Sequence, residues 1–207
     1  MTPPIPIQLA VEDTLSEAVL REILSKSGRP YSIGTCYVGR GFGYLRRTIC
    51  GFNNAARSTP FLVLTDLDQT ECPPRLIDSW LPQPLHPNLV FRVAVREVEA
   101  WLLAGANEIS RFLRIKRALV RRDVEAIQDP KAYLIDLARL SPNRELRSDI
   151  VPPPGSTRLI GPNYNGRLIS FVQEGWDISV AKQFSPSLLR AVEAVSNFIP
   201  AWEHEHS

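Results

Sequence analysis

The chain has 207 residues, 44% of them hydrophobic, which suits one large domain, or a domain with a small extension, with a sizeable core, and no apolar stretch approaches the roughly 18–20 residues of a membrane span. A net charge of +2 neither demands nor excludes nucleic acid, because a local basic patch decides that. Three widely spaced cysteines, Cys36, Cys50 and Cys72, argue against a disulfide frame or zinc knuckle and read as reduced thiols of a cytoplasmic protein.

The first residues, Met-Thr-Pro-Pro, lack the basic segment and apolar run of a signal peptide. Ile5–Val11 reads as a buried strand that hands over to Glu12 and Asp13. Thr14 is the predicted cap of a helix, with Glu17 completing a capping box and Leu15, Val19, Leu20, Ile23 and Leu24 at helical spacing. Gly28-Arg29-Pro30 ends that helix. Tyr31–Val38 is a second strand, with Cys36 as a core candidate. Gly39-Arg-Gly-Phe-Gly43 comes after it and leads into a helix over 44–56. It lacks the Gly-Lys-Ser/Thr ending of a Walker A loop, and it is either an anion-binding loop or an ordinary turn. Arg40, Arg46 and Arg47 are the candidate phosphate contacts there.

Residues 61–65 form a third predicted strand, with Asp66-Leu67-Asp68 directly after it. A short helix is expected over 75–81 and a fourth strand over 89–95. Glu97 and Glu99 come next, with a helix through Trp101, Leu102 and Leu103, which read as core. This alternation predicts an α/β fold: a mainly parallel sheet of about four strands with helices on both faces. Residues 1–104 form that core, and 105–207 read as a helical and loop elaboration packed on it, not an independent domain. Within the elaboration, 107–113 looks helical. Asp129-Pro130 marks a helix start with Tyr133, Leu134, Leu137, Ala138 and Leu140 on one side. Residues 152–155 are a loop, and 187–198 are a final helix. On one continuous helix, Arg111, Arg114, Arg117 and Arg121 would share a face as a nucleic-acid stripe; Asp123 and Glu125 close behind favour a solvated face or basic loop instead.

The chemistry concentrates in three acidic clusters, each placed directly after a strand. Parallel strands deliver the residues beyond their carboxyl ends to one edge of the sheet, where open α/β folds hold ligands. Carboxylates gathered there repel one another, and a hard divalent cation, most simply Mg²⁺ or Mn²⁺, neutralises them with oxygen ligation. Taken singly, each cluster also suits a cap or a turn. An extended backbone through Asp66-x-Asp68 puts both side chains on one face. Glu97 and Glu99 behave likewise if the strand continues, and diverge by about 200° if a helix has begun. Lys131, in the first turn of its helix, is either a surface lysine or a cation reaching the carboxylates. Histidine chemistry is disfavoured: His204 and His206 lie in the C-terminal tail, which leaves His86 as a candidate base.

A Glu at the end of the first strand, here Glu12, and an Asp-x-Asp two strands later, here Asp66 and Asp68, resemble the TOPRIM domain of primases, topoisomerases and nucleases of the overcoming-lysogenization-defect group. Over nearly the whole chain, Val11-Glu12, Glu17, Leu64-Thr-Asp-Leu-Asp68, Arg96-Glu-Val-Glu-Ala-Trp-Leu-Leu103, Asp129-Pro-Lys131 and Gly161-Pro-Asn-Tyr-Asn165 resemble a TOPRIM-like family of bacterial proteins associated with phage-defence loci, in some cases beside an ATPase gene. Asp13 stands where TOPRIM proteins usually carry Gly, and no room exists for the distant tyrosine domain of a topoisomerase. The resemblance therefore implies Mg²⁺-dependent phosphodiester hydrolysis of nucleic acid, DNA ahead of RNA, with an ATPase as a possible partner, in the cytoplasm. Two ions about 3.5–4 Å apart serve that chemistry in such nucleases. The implied ligands are Glu12, Asp66 and Asp68, with Glu17, Glu97 and Glu99 as outer carboxylates. Glu12 is the implied base or bridge, Lys131 a transition-state contact, and Arg158 a substrate contact in a polar stretch through Tyr164, Asn165 and Arg167 that closes over the sheet edge. The alternative is a catalytically inactive module that binds nucleic acid or a partner protein.

Overall fold

The computed structural model describes residues 3–39 and 43–201. The first half of the chain alternates strand and helix: β1 (Ile5–Val11), α1 (Thr14–Ser25), β2 (Tyr31–Val38), α2 (Gly43–Ala55), β3 (Phe61–Asp66), α3 (Pro73–Trp80) and β4 (Leu89–Ala94). The strands form one parallel sheet in the order β2-β1-β3-β4. The central strand β3 is apolar and buried on both faces through Leu64, as a sheet covered on both sides requires, and β1 is so over Leu9–Val11. One face carries Ala10, Phe61, Val63, Phe91 and Val93 and packs against Leu45, Ile49 and Phe52 of α2 and Leu76 and Trp80 of α3. Residues of opposite parity, such as Ile7, Leu9, Leu62 and Leu64, point the other way, and α1 packs on β1, β2 and β3 from that side. This is an α/β, Rossmann-like arrangement.

The strand order places a topological switch between β1 and β3. The chain leaves β1 for β2 on one side and returns to β3 on the other. The crevice beyond the carboxyl ends of the two strands flanking such a reversal is where open α/β sheets bind ligands. Glu12 comes directly after β1, and Asp66 closes β3.

β2 is an edge strand and mostly exposed, so Cys36 is half-buried instead of core. The thiol faces Glu17; burial first, and then the Glu17 carboxylate, push its pKa up to about 12. A thiol held protonated in this way is a poor nucleophile.

Two compact units divide the chain: residues 1–95 together with 190–207, and residues 96–189. The sequence pattern changes at Gly105, whereas the unit changes between residues 95 and 96. The second unit is helical. It holds α4 (Val98–Ala104), α5 (Ala106–Leu113), a 3₁₀ turn (Arg117–Leu119), α6 (Pro130–Arg139), α7 (Arg144–Ile150), α8 (Tyr164–Glu174) and α9 (Ile178–Ala181). α10 (Pro186–Ser196) starts in it and continues into the first unit. Among the described residues, no helix is long and apolar enough to cross a membrane.

Three local expectations change. The cap of α1 is Asp13, not Thr14: Asp13 is extended, at φ −151° and ψ 177°, and its Oδ1 accepts from the Ser16 N–H at 2.8 Å. The basic run 111–122 is not one helix, because Arg114 adopts a left-handed conformation, φ 56°, directly after α5. The shared arginine face therefore does not form, and Arg111 instead pairs with Glu108 at 2.9 Å. Residues 164–167 are the first turn of α8, not a loop, and Tyr164 is buried.

Candidate functional site

Each strand end sets the position of its carboxylate. In the first unit, β1 ends at Val11 and the Asp13 cap starts α1, so Glu12 is held between a strand and a helix whose positions are both fixed by packing. The Glu12 carboxylate accepts hydrogen bonds from the Thr65 hydroxyl and, at 3.3 Å, from the Asp66 N–H at the end of neighbouring β3. Burial raises the pKa of Glu12, and the Asp68 and Asp13 charges raise it further, while the Thr65 and Asp66 hydrogen bonds oppose the shift. Glu12, Asp68 and Asp13 thus share one electrostatic neighbourhood at the switch point, and Asp66 contributes its backbone N–H.

Asp68 does not continue the strand. The β3–β4 pairing extends through the Leu67 N–H to the Ala94 carbonyl at 2.9 Å, and the chain then turns, with Asp68 at φ 49°. Asp tolerates this conformation better than most side chains do. The simple alternation expected for Asp66-x-Asp68 ends at that turn. Asp13 serves as the helix cap, and Glu17 pairs with Arg21 at 2.8 Å. Among the described residues, no group of three or more His, Cys, Asp or Glu side chains is arranged to hold a metal ion. In residue type and position, Glu12, Asp66 and Asp68 fit a hard cation, but the Glu12 carboxylate is turned onto Thr65 and Asp66.

The second unit has its own carboxylate cluster, and three helix starts build it. Glu97 is the extended residue preceding α4, at φ −140° and ψ 160°, and Glu99 lies in the first turn of α4. Asp129 caps α6 through the Ala132 N–H at 2.7 Å, with Pro130 in the first turn, which places Lys131 beside α4. The Lys131 N–H donates to Glu97 Oε2 at 2.9 Å, and its Nζ lies 3.7 Å from Glu97 Oε1 and 3.5 Å from Glu99 Oε1. Tyr164, at the start of α8, donates its hydroxyl to Glu99 Oε1 at 3.0 Å. Glu99 is fully enclosed. Burial pushes its pKa up to about 7, the Lys131 charge opposes this, and Glu97 adds to it. Of the two readings of Lys131, the carboxylate contact is the observed one.

The remaining candidates are at the surface or outside the described residues. Arg46 and Arg47 are exposed on α2, Arg158 is exposed in a loop of the second unit, and Arg40 lies outside the described residues with most of its glycine loop. His204 and His206 are also outside them. His86 Nδ1 accepts from the Asn88 N–H at 3.2 Å ahead of β4. Residues that sequence reasoning missed are Thr65, which donates to Glu12; Glu125, which accepts from Ser185 and Ser187 at 2.7 Å; and Arg92, half-buried on β4. An arginine inside the apolar run 89–94 was the available signal for the last of these. The chain matches no protein-family model, no curated protein and no solved structure.

Proposed function

We propose that the protein is a metal-dependent nuclease whose centre lies at the β1–β3 switch point. The observation that carries this reading is the Glu12 carboxylate, half-buried, raised in pKa and under the direct influence of Asp68 and Asp13 at the carboxyl ends of two central parallel strands. Clustered carboxylates at such an edge are costly unless a cation offsets them. Asp66 and Asp68, with Glu12, would hold Mg²⁺ or Mn²⁺. The ion would supply an acidified water and neutralise charge on the phosphodiester. Glu12, directly after β1 at the same edge, suits the role of a bridging ligand or of the proton acceptor. Thr65 orients the Glu12 carboxylate. The substrate in this reading is nucleic acid, DNA ahead of RNA, in the cytoplasm. An ATPase partner rests on the family resemblance alone.

A second reading has its own observation. With the Glu12 carboxylate engaged by Thr65 and Asp66, a binding module without catalysis accounts for the same fold. A cleavage assay on mixed DNA and RNA with and without Mn²⁺ separates the two. The nuclease reading expects Mn²⁺-dependent cleavage that Asp66→Ala abolishes and Asp68→Asn reduces at least tenfold, a factor of ten being about 1.4 kcal/mol of barrier. Equal activity in wild type and Asp66→Ala sinks it. Absence of cleavage together with retained nucleic-acid binding favours the module.

A further inference from the structure

We propose that Arg92 and Arg190 form an anion clamp in the first unit that takes a phosphate group, a role separate from the carboxylate centre. Arg92 is the one charged residue of β4, set between Phe91 and Val93. By parity its side chain leaves the sheet on the side of Val90 and Ala94, away from the Leu89, Phe91 and Val93 face that packs on α2 and α3. Its Nε is buried and makes no hydrogen bond. Among the described residues no carboxylate pairs with it; the charged group acting on it is another arginine, Arg190, exposed on α10.

This arrangement is unfavourable in isolation. A guanidinium stays charged under all ordinary conditions, so it cannot escape burial by losing its proton. Burial and the like charge of Arg190 both act to lower the pKa of Arg92, which marks them as unfavourable to its charged form. Buried donors are nearly always satisfied, and an unpaired one at a charged group calls for a partner. An anion seated between the two guanidiniums answers each deficit at once, by accepting from the Arg92 fork and screening it from Arg190. Two neighbouring positive charges favour a phosphate, close to a dianion with three acceptor oxygens, over a single carboxylate.

Differential scanning fluorimetry of the full chain at constant ionic strength tests the clamp, with inorganic phosphate as the probe. Saturating phosphate is expected to raise the wild-type Tm by about 5 °C, and Arg190→Gln and Arg92→Gln are each expected to abolish that rise. In phosphate-free buffer, Arg190→Gln should itself melt higher than wild type, because it removes a repulsive charge; a merely solvated arginine predicts no such gain. Should Arg92→Gln fail to fold, Arg190→Gln on the exposed face of α10 still decides. A second arm compares a short single-stranded oligonucleotide with its neutral methylphosphonate analogue. Competition by the charged strand alone identifies a phosphodiester as the source, and saturation by inorganic phosphate without competition identifies a free phosphate. No phosphate-dependent rise, or a rise of equal size in both variants, overturns the clamp. Asp66→Ala should leave the rise intact, so failure of the metal centre and failure of the clamp are read separately.

Discussion

Glu99 shows how far one buried residue can set the behaviour of its surroundings. Its pKa stands at about 7 against an ordinary 4.5, so the folded protein holds this proton more tightly than the unfolded chain does. The associated stability is fully present below about pH 4.5 and is lost as pH rises through about 7. Thermal melts between pH 5 and 8 should therefore fall with pH in wild type, and Glu99→Gln should flatten that slope while keeping an acceptor for the Tyr164 hydroxyl. An unchanged slope in the variant would mean that Glu99 does not govern it. Gly161 makes a second case at this scale. A Cβ there would collide with the Asp149 carbonyl oxygen and the Ile150 carbonyl carbon, which are backbone atoms unable to swing aside. The Gly161 N–H donates to the Ile150 carbonyl at 2.9 Å, and the next residues start α8, whose Tyr164 reaches Glu99. Gly161→Ala should cost about 1–3 kcal/mol in urea unfolding, a figure typical of overpacking. A loss within measurement error would show that the backbone can yield.

At the scale of elements, α1 owes its start to Asp13, and this separates two roles that one carboxylate could serve. Asparagine caps as well as aspartate, so Asp13→Asn should leave stability nearly unchanged, whereas Asp13→Ala should cost about 1 kcal/mol. If Asn costs as much as Ala, the charge and not the cap is what α1 needs. All four strands and α1, α2 and α3 between them were legible in the sequence, because β1, β3 and β4 are apolar runs, β2 is rich in β-branched and aromatic residues, and Gly28 is a local signal, as Asp129-Pro130 is for α6; α7, α8 and α9 were not expected. The positions of Glu12, Asp66 and Asp68 at strand ends were legible for the same reason. The features that were not legible depend on contacts distant in sequence or on single dihedral angles. Arg114 carries no local mark of its left-handed turn, so the basic stretch looked like one helix. Asp13 and Thr14 are both good caps, and only the Ser16 contact decides between them. Glu125 reaches 60 residues along the chain to Ser185, and 62 to the hydroxyl and N–H of Ser187, where α10 starts. No spacing rule finds such a partner.

For the whole molecule, the governing fact is that the first unit is built from two stretches, residues 1–95 and 190–207. The second stretch contributes buried Ala191, Val195 and Phe198. The Tyr31 hydroxyl on β2 donates to the Val195 carbonyl at 2.6 Å, and the Ala201 N–H donates to Asn88 Oδ1 at 2.7 Å. A chain ending at residue 189 should therefore lose the cooperative melting of the first unit, seen by circular dichroism as a broadened transition at lower temperature. A sharp transition at the wild-type Tm would contradict this. The same discontinuity orders events during synthesis. The four strands leave the ribosome ahead of the helical unit, yet the contacts from α10 onward that complete their own unit follow only after that helical unit has emerged. The sheet must wait, and during that interval its apolar strands are the part of the nascent chain most exposed to mispairing and most dependent on chaperone cover.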